Sequence, residues 1–429
     1  MERLVSALGL VVMIGLAWLM SSHKRRFNWR IVIGGLLLQF GLGLFVLRTS
    51  FGAAVFDAIG DVFLALLQCV DAGSVFVFGP DFAEHFFAFK VLPTIIFFSA
   101  FMSIFYYYGV MQIIVGIFAK LMQKTLGTSG AETLSAAANV FVGQTEAPLV
   151  IRPYISSMTI SELNAVMIGG FATMAGGVLG GLVEMGKRTV GDTVTYIITP
   201  QDLLSASVMA APAALLISKI IVPEVDTPKT LGNVKIEVED PSTNVLEAIA
   251  NGTIGGLQLA LNVGAMLIVF LALIAVLDLL LGWTGAQFGY VTETGAYVWS
   301  LGAGLGRLFA PIAWLIGIEW KDCMPAGELM GLKMATNEFV AYGRMIEWAE
   351  PDSAVQLSER SQRIMTYALC GFANFSSIGI QLGGIGGIAP NRRGDLARLG
   401  LRAMLGGTLA AFMNACVASL LLPGIDTPS

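Results

Sequence analysis

Apolar residues run through this chain in long blocks, and polar residues interrupt them at a few defined places. Blocks near 4–20, 31–48, 91–110, 164–184, 203–222, 256–281, 364–388 and 403–422 each approach the roughly 20 apolar residues that a spanning helix needs. The pattern predicts an all-α polytopic membrane protein with about eight transmembrane helices. Residues 49–90 are mixed: Asp57, Asp61 and Asp71 break the apolar run, and Asp81, Glu84 and His85 follow. An interfacial helix fits that stretch better than a span. A moderately amphipathic segment with Lys120 and Lys124 follows the third span. Residues 300–319 are apolar but carry Gly302, Gly304, Gly306, Arg307 and Pro311, which predicts an interfacial or half-crossing helix. Residues 223–247 are the most polar run, with Pro223, Pro228 and Pro241, and read as a cytoplasmic connector. The alternation from Asn233 to Glu239 allows one short strand in it.

Two stretches fit neither a span nor an ordinary loop. Asn139 to Pro148 places Gln144, Thr145 and Glu146 consecutively inside apolar sequence. An ionisable group at membrane depth costs on the order of 2.5–3.5 kcal/mol on insertion scales, so it marks function by default. Pro148 cannot donate a helical backbone hydrogen bond and suits the first turn of a new helix. A helix stopping near Gln144, a bare tip and a second helix from Pro148 are predicted, with Glu146 at the favourable end of that helix dipole. The arms of this hairpin, at about 129–152, are too short to cross at 1.5 Å per residue, so it is re-entrant. Asn337-Glu338, in a second hairpin at about 325–345, echoes it. Each hairpin is followed by a matching tetrad, Gly170-Phe171-Ala172-Thr173 and Gly371-Phe372-Ala373-Asn374, each expected to lie in a continuous spanning helix. Interrupted apolar segments in corresponding positions of two repeats point to a transporter binding site between them. The alternative, two solvated surface loops, conflicts with the apolar flanks.

Composition narrows the class. Only 13% of residues are charged and the mean hydropathy is +0.76, against about a quarter charged in soluble domains. Net charge is −5 and no basic stripe suits nucleic acid. The four cysteines, Cys69, Cys323, Cys370 and Cys416, fit neither a zinc site nor a redox pair. The basic clusters at 23–30 and 391–402 are cytoplasmic by the positive-inside rule. Both termini are then periplasmic, the hairpins enter from opposite sides and the repeats are inverted. The first apolar block reads as a retained span rather than a signal peptide.

The polar groups gathered at the hairpins and tetrads are Asn139, Gln144, Thr145, Glu146, Thr173, Asn337, Glu338, Asn374, Ser376 and Ser377. Amide and carboxylate edges suit a nucleobase or the hydroxyls of a sugar. With no cation in either tip, an anionic substrate is disfavoured. Oxygens at a broken helix, from Asn139, Val142 and Thr173, suit a hard cation. No protease, hydrolase or nucleotide-binding motif occurs, and no catalytic residue is assigned.

Three motifs, 143–149, 337–342 and 370–379, occur in order, and over roughly 90–422 the sequence resembles the concentrative nucleoside transporter family. The resemblance implies a homotrimer in the lipid bilayer of a bacterial inner membrane, with an elevator-type mechanism. It implies scaffold over 1–110, a first transport repeat over 111–222, a cytoplasmic loop over 223–255, further scaffold over 256–320 and a second repeat over 321–429. By the same resemblance Gln144, Thr145, Glu146 and Val178 line the nucleobase side, while Glu338, Asn374 and Ser377 bind the ribose beside Phe372. Sodium would be held by Asn139, Val142, Thr173 and the carbonyl of Met174. The activity implied is sodium-coupled import of uridine-like nucleosides. Proton coupling and, from another class, an ion channel with a hairpin filter are the rivals.

Overall fold

The computed structural model describes residues 2–85, 87–190, 193–231, 242–291, 299–350 and 352–422. The apolar blocks form helices, and glycines and polar caps decide where each stops. Helices α1 (Glu2–Leu19) and α2 (Trp29–Arg48) match the first two expected spans. The Asn28 side chain starts α2 by accepting from the backbone of Arg30 and Ile31. The stretch expected to be interfacial forms one 29-residue helix, α3 (Ser50–Phe78), which by length and composition would also suffice to cross a bilayer. Its aspartates did not shorten it; Asp71 lies 3.7 Å from Lys90, so one charge is partnered rather than left at a break. Helix α4 (Leu92–Tyr107) continues a π turn from Phe87, and α5 (Val110–Leu126) follows a left-handed Gly109.

The first hairpin has α6 (Gly130–Ala138) as one arm and a 3-10 turn (Ala147–Ile151) running into α7 (Arg152–Ile155) as the other. Its first arm ends about two turns before Gln144, leaving a longer non-helical tip than expected. The next span is broken: α8 (Ile160–Ala172) stops, and α9 (Gly176–Met185) restarts after Thr173–Ala175. A β-hairpin follows, β1 (Lys187–Val190) against β2 (Thr193–Tyr196), which the apolar pattern did not signal. Helix α10 (Pro200–Ile221) comes next. The alternating stretch 233–239 lies outside the described residues.

Helix α11 (Val245–Gln287) is 43 residues long and starts at the end of the expected connector, eleven residues before its apolar block, capped by Asn244. It lies along α4, with Gly252 and Gly256 letting it approach Ala100 and Ile96 at backbone distance. Helix α12 (Leu301–Leu315) packs along α13 (Cys323–Ala335), where a Cβ on Gly327 would stand 2.6 Å from the Gly306 carbonyl. Helices α13 and α14 (Glu338–Trp348) are the arms of the second hairpin. The expected span 364–388 is two helices, α15 (Glu359–Leu369) and α16 (Phe375–Ile388), with the second tetrad between them. Helix α17 (Arg393–Leu421) begins ten residues earlier than its apolar block and is the buried post of the molecule. Its Asn414 accepts from Gln39 of α2 at 2.6 Å and donates to Ala206 of α10 at 3.1 Å.

Eight helices among the described residues are long and apolar enough to cross a membrane. By length and composition Ser50–Phe78 is among them, as is Ile160–Met185 although Thr173–Ala175 interrupts it, whereas 364–388 is split into helices of 11 and 14 residues, each too short to count alone. Both hairpins are pinned at their roots. Glu132 and Glu162 close capping arrangements at the starts of α6 and α8, and Lys219 bonds Glu132 (2.7 Å), Glu224 (3.1 Å) and Ser161 (2.9 Å). Arg392 holds the far root through the carbonyl of Met158 at 2.6 Å. Arg30 reaches the carbonyl of Lys124 just before the near root. Arg188, on the β-hairpin, bonds the last carbonyls of α14 at Ala349 (2.6 Å) and Ile346 (3.2 Å).

Candidate functional site

The two tetrads meet. Gly371 has φ of +111°, and a Cβ there would stand 2.7 Å from the Ala172 carbonyl and 2.8 Å from that of Phe171. Only glycine permits both the backbone angle and the approach. The chain therefore breaks α15 against the end of α8, and the polar residues beside both breaks are brought together.

One hydrogen-bonded chain links the two repeats. The Gln144 amide donates to the Ser377 hydroxyl at 3.1 Å. The Ser377 backbone N–H donates to Asn374 Oδ1 at 2.9 Å, and Asn374 Nδ2 donates to Glu338 Oε2 at 3.1 Å. Asn374 thus caps α16 with its oxygen and holds the carboxylate with its nitrogen. Asn337 caps α14 in the same way, placing Glu338 in the first helical turn, where the dipole favours negative charge. All four members are buried. Glu338 Oε1 and the Ser377 O–H remain available, so the cluster offers an acceptor and a donor side by side. That pairing matches a ligand bearing adjacent hydroxyls.

The other residues expected here are placed around this chain. Thr145 is half-buried and packs on α16, where a Cβ on Gly384 would come within 2.8 Å of its methyl. Val178 is fully buried in α9, and Phe372 lies in the second break. Glu146 accepts from the Gly143 N–H at 2.9 Å, bracing the tip. Its carboxylate faces a cavity of about 1050 Å³, lined also by Tyr106, Phe141, Arg152 and Asn251. Glu146 therefore lines that cavity rather than joining the buried chain.

The residues read as a cation site also converge. Asn139 ends α6 and Thr173 ends α8, so the negative ends of two helix dipoles meet in one region. A Cβ on Gly169, one turn before Thr173, would be 3.3 Å from Asn139 Nδ2. Asn139 donates to the Ser135 carbonyl at 3.0 Å, while its Oδ1 is buried with no hydrogen-bond partner among the described residues. The Thr173 hydroxyl donates to the Gly169 carbonyl at 2.9 Å, which leaves its oxygen lone pairs facing outward from that bond. Val142 and Met174 are buried in the same two breaks. An unpaired buried oxygen is costly without a partner, and an all-oxygen set of this kind fits a hard cation.

Two residues escaped the sequence reading. Gln381 is fully buried in α16 and bonds Gln144; it lies four residues after Ser377, on the same helix face, so the spacing did carry a signal. Lys333 is buried in α13 and its ammonium has no hydrogen-bond partner among the described residues. A single lysine in an apolar arm gave no periodic signal.

Family profiles cover most of this architecture. The profile described as Na+ dependent nucleoside transporter C-terminus matches residues 202–419, and its N-terminal counterpart matches 8–81. A profile described as nucleoside recognition matches 88–189, the segment that carries the first hairpin. The chain belongs to the concentrative nucleoside transporter family. Within the family it is 45% identical to an uncharacterized transporter of Haemophilus influenzae, covering 98% of both chains. It is 43% identical to the sodium/nucleoside cotransporter 1 of Rattus norvegicus over 98% of its own length, but spans only 64% of that protein. The family member CNTnw, in an inward-facing substrate-bound state, superposes with a TM-score of 0.89 at 42% identity, with 98% of each chain covered. A variant of CNTnw in an outward-facing state superposes at 0.88, with the same identity and coverage. One fold thus serves opposite-facing states, as an elevator-type transporter requires. The chain is a multi-pass membrane protein of a family of transporters, not of enzymes.

Proposed function

We propose that this protein is a sodium-coupled symporter that imports uridine-like nucleosides by alternating access. The observation that carries the reading is the buried chain Gln144–Ser377–Asn374–Glu338, which joins both repeats and leaves a donor and an acceptor free. In this reading Glu338, Asn374 and Ser377 hold the ribose beside Phe372. Gln144, Thr145, Glu146 and Val178 line the nucleobase side. Asn139, Val142, Thr173 and Met174 hold the transported sodium ion, with the unpaired Asn139 Oδ1 as one oxygen of its shell. Sodium bound there ties the end of α6 to the end of α8 and so orders the tip that carries Gln144. Coupling follows because the ordered tip binds nucleoside better than the loose one.

The protein works, in this proposal, as a homotrimer in a bacterial inner membrane. Both basic clusters face the cytoplasm and both termini the periplasm. The contacts of Arg30 and Arg392 with the two roots of the first hairpin support its entry from the cytoplasmic side.

Uptake of radiolabelled uridine into proteoliposomes tests the proposal, with an inward sodium gradient against a choline control. Sodium-dependent accumulation is expected. Accumulation that ignores sodium and follows an imposed pH gradient moves the coupling to protons, a reading that the buried carboxylate of Glu338 favours. No accumulation under either gradient removes the nucleoside.

A further inference from the structure

Gln381 sits on α16 with its side chain fully enclosed between the first hairpin and α8. Its Nε2 is 3.1 Å from the carbonyl oxygen of Met167 and 3.0 Å from the side-chain oxygen of Gln144. A backbone carbonyl can only accept a hydrogen bond, so the atom facing Met167 must be the nitrogen of the Gln381 amide. That same nitrogen faces Gln144, so the Gln144 atom beside it must be the oxygen. The Gln144 nitrogen is then turned to Ser377, where it donates at 3.1 Å. The polarity of the chain is therefore set by one main-chain atom and passed on by Gln381. Gly170 makes the room: a Cβ there would lie 2.8 Å from Gln381 Nε2 and 2.9 Å from the Gln144 Cβ.

We propose that Gln381 is a specificity-determining positioning residue, which holds the Gln144 amide in one orientation and so makes this wall of the pocket a hydrogen-bond donor. Gln144 Nε2 keeps a second hydrogen beyond the one given to Ser377, and the Ser377 hydroxyl, having accepted, offers its own hydrogen. The Gln144 hydrogen is left for the base and the Ser377 hydrogen for the ribose. The base edge that fits carries a carbonyl oxygen, as uracil does at its 4-position. Cytosine carries an amino group there and opposes donor to donor. A freely turning glutamine amide would accept either base equally, because its two ends exchange roles. The inference rests on the nucleoside reading given above.

The test is the affinity of the purified full-length protein for uridine and for cytidine, measured by titration calorimetry in sodium. The wild-type protein is expected to bind uridine more tightly than cytidine by about threefold or more, the scale of one modest hydrogen-bond difference. In Gln381→Met, which keeps the volume but removes the donor, the ratio is expected to fall to within about 1.5-fold of unity. General loosening of the pocket would weaken both ligands alike and leave the ratio in place. Gln381→Leu, which also removes the donor, serves where the methionine variant does not purify as a folded protein, and the same fall in the ratio is expected. A wild-type protein that binds both nucleosides equally, or prefers cytidine, overturns the inference. So does a uridine preference that survives either substitution. A wild-type protein that binds neither nucleoside overturns the underlying reading as well, and the two failures are thereby distinguished.

Discussion

Single atoms carry the function proposed here, and the first expectations belong to them. Glu338 Oε1 is the open acceptor of the buried chain, and removing a hydrogen bond to a buried charge costs about 1.5–3 kcal/mol. Glu338→Gln is therefore expected to lower uridine uptake by about tenfold to a hundredfold; near-normal uptake would take Glu338 out of the site. The ligand shows the same asymmetry. A site built to bond a hydroxyl rejects analogues lacking it by up to about 10⁴, whereas exchanging uracil for cytosine alters one edge. Competition against radiolabelled uridine should show 3′-deoxyuridine losing more than cytidine does, and equal inhibition by uridine and its 3′-deoxy form contradicts the ribose assignment. For the cation, Asn139→Ala removes the unpaired Oδ1. The sodium concentration giving half-maximal uptake should rise about tenfold, the size of one lost oxygen contact. An unchanged sodium dependence would move the ion elsewhere.

At the scale of elements, the abutting breaks are the feature to disturb. Gly371 combines φ of +111° with carbonyls at 2.7 and 2.8 Å from where a Cβ would be. Backbone strain of that kind costs about 1–3 kcal/mol, and the contact with main-chain atoms adds to it. Gly371→Ala should lower the thermal midpoint of the detergent-purified protein measurably, by several degrees at this order of cost, whether or not nucleoside is added. Arg188→Ala, whose contacts are with the end of α14 and with Glu350 just beyond it, should change the midpoint less. How far these elements could be read from sequence depends on what interrupts them. Pro148 and the run Gln144-Thr145-Glu146 announced the first hairpin, because proline and charge are physically incompatible with an unbroken apolar helix. The tetrads were found but read as continuous helix. Phe372 and Ala373 are apolar, and a positive φ at Gly371 leaves no trace in hydropathy. In Ser50–Phe78 the aspartates hid the length of one continuous helix, because the partner of Asp71, Lys90, lies in a different block. The candidate site was legible as a set of residue types; Asn374 and Ser377 were expected on one helix face, whereas Asn374 is the cap that starts α16. The bonds among them were not, because Gln144 and Ser377 are 233 positions apart and meet only through tertiary structure.

For the whole molecule, most of the surface of α11 is left uncovered: Leu261, Ile268, Leu271, Leu273, Leu277 and Leu280 are exposed along it. An unpartnered apolar surface of that length is compatible with lipid or with neighbouring copies. The trimer proposed above predicts a mass of three chains by native mass spectrometry from nanodiscs, and a persistent single-chain mass would dismiss it. The same helix has a consequence for the surroundings. Ala248 to Leu277 is thirty residues without a charge, about 45 Å of helix at 1.5 Å per residue. The oily interior of a typical bilayer is only about 30 Å thick. A helix longer than the apolar layer meets the mismatch by leaning from the normal, and its packing on α4 sets how far. Acyl-chain length then becomes a control on the frame: longer lipids stand α11 up and shorter ones lay it down, with α4 carried along. In vesicles made from lipids of graded chain length, the turnover of uridine should peak at one thickness while its binding affinity stays level.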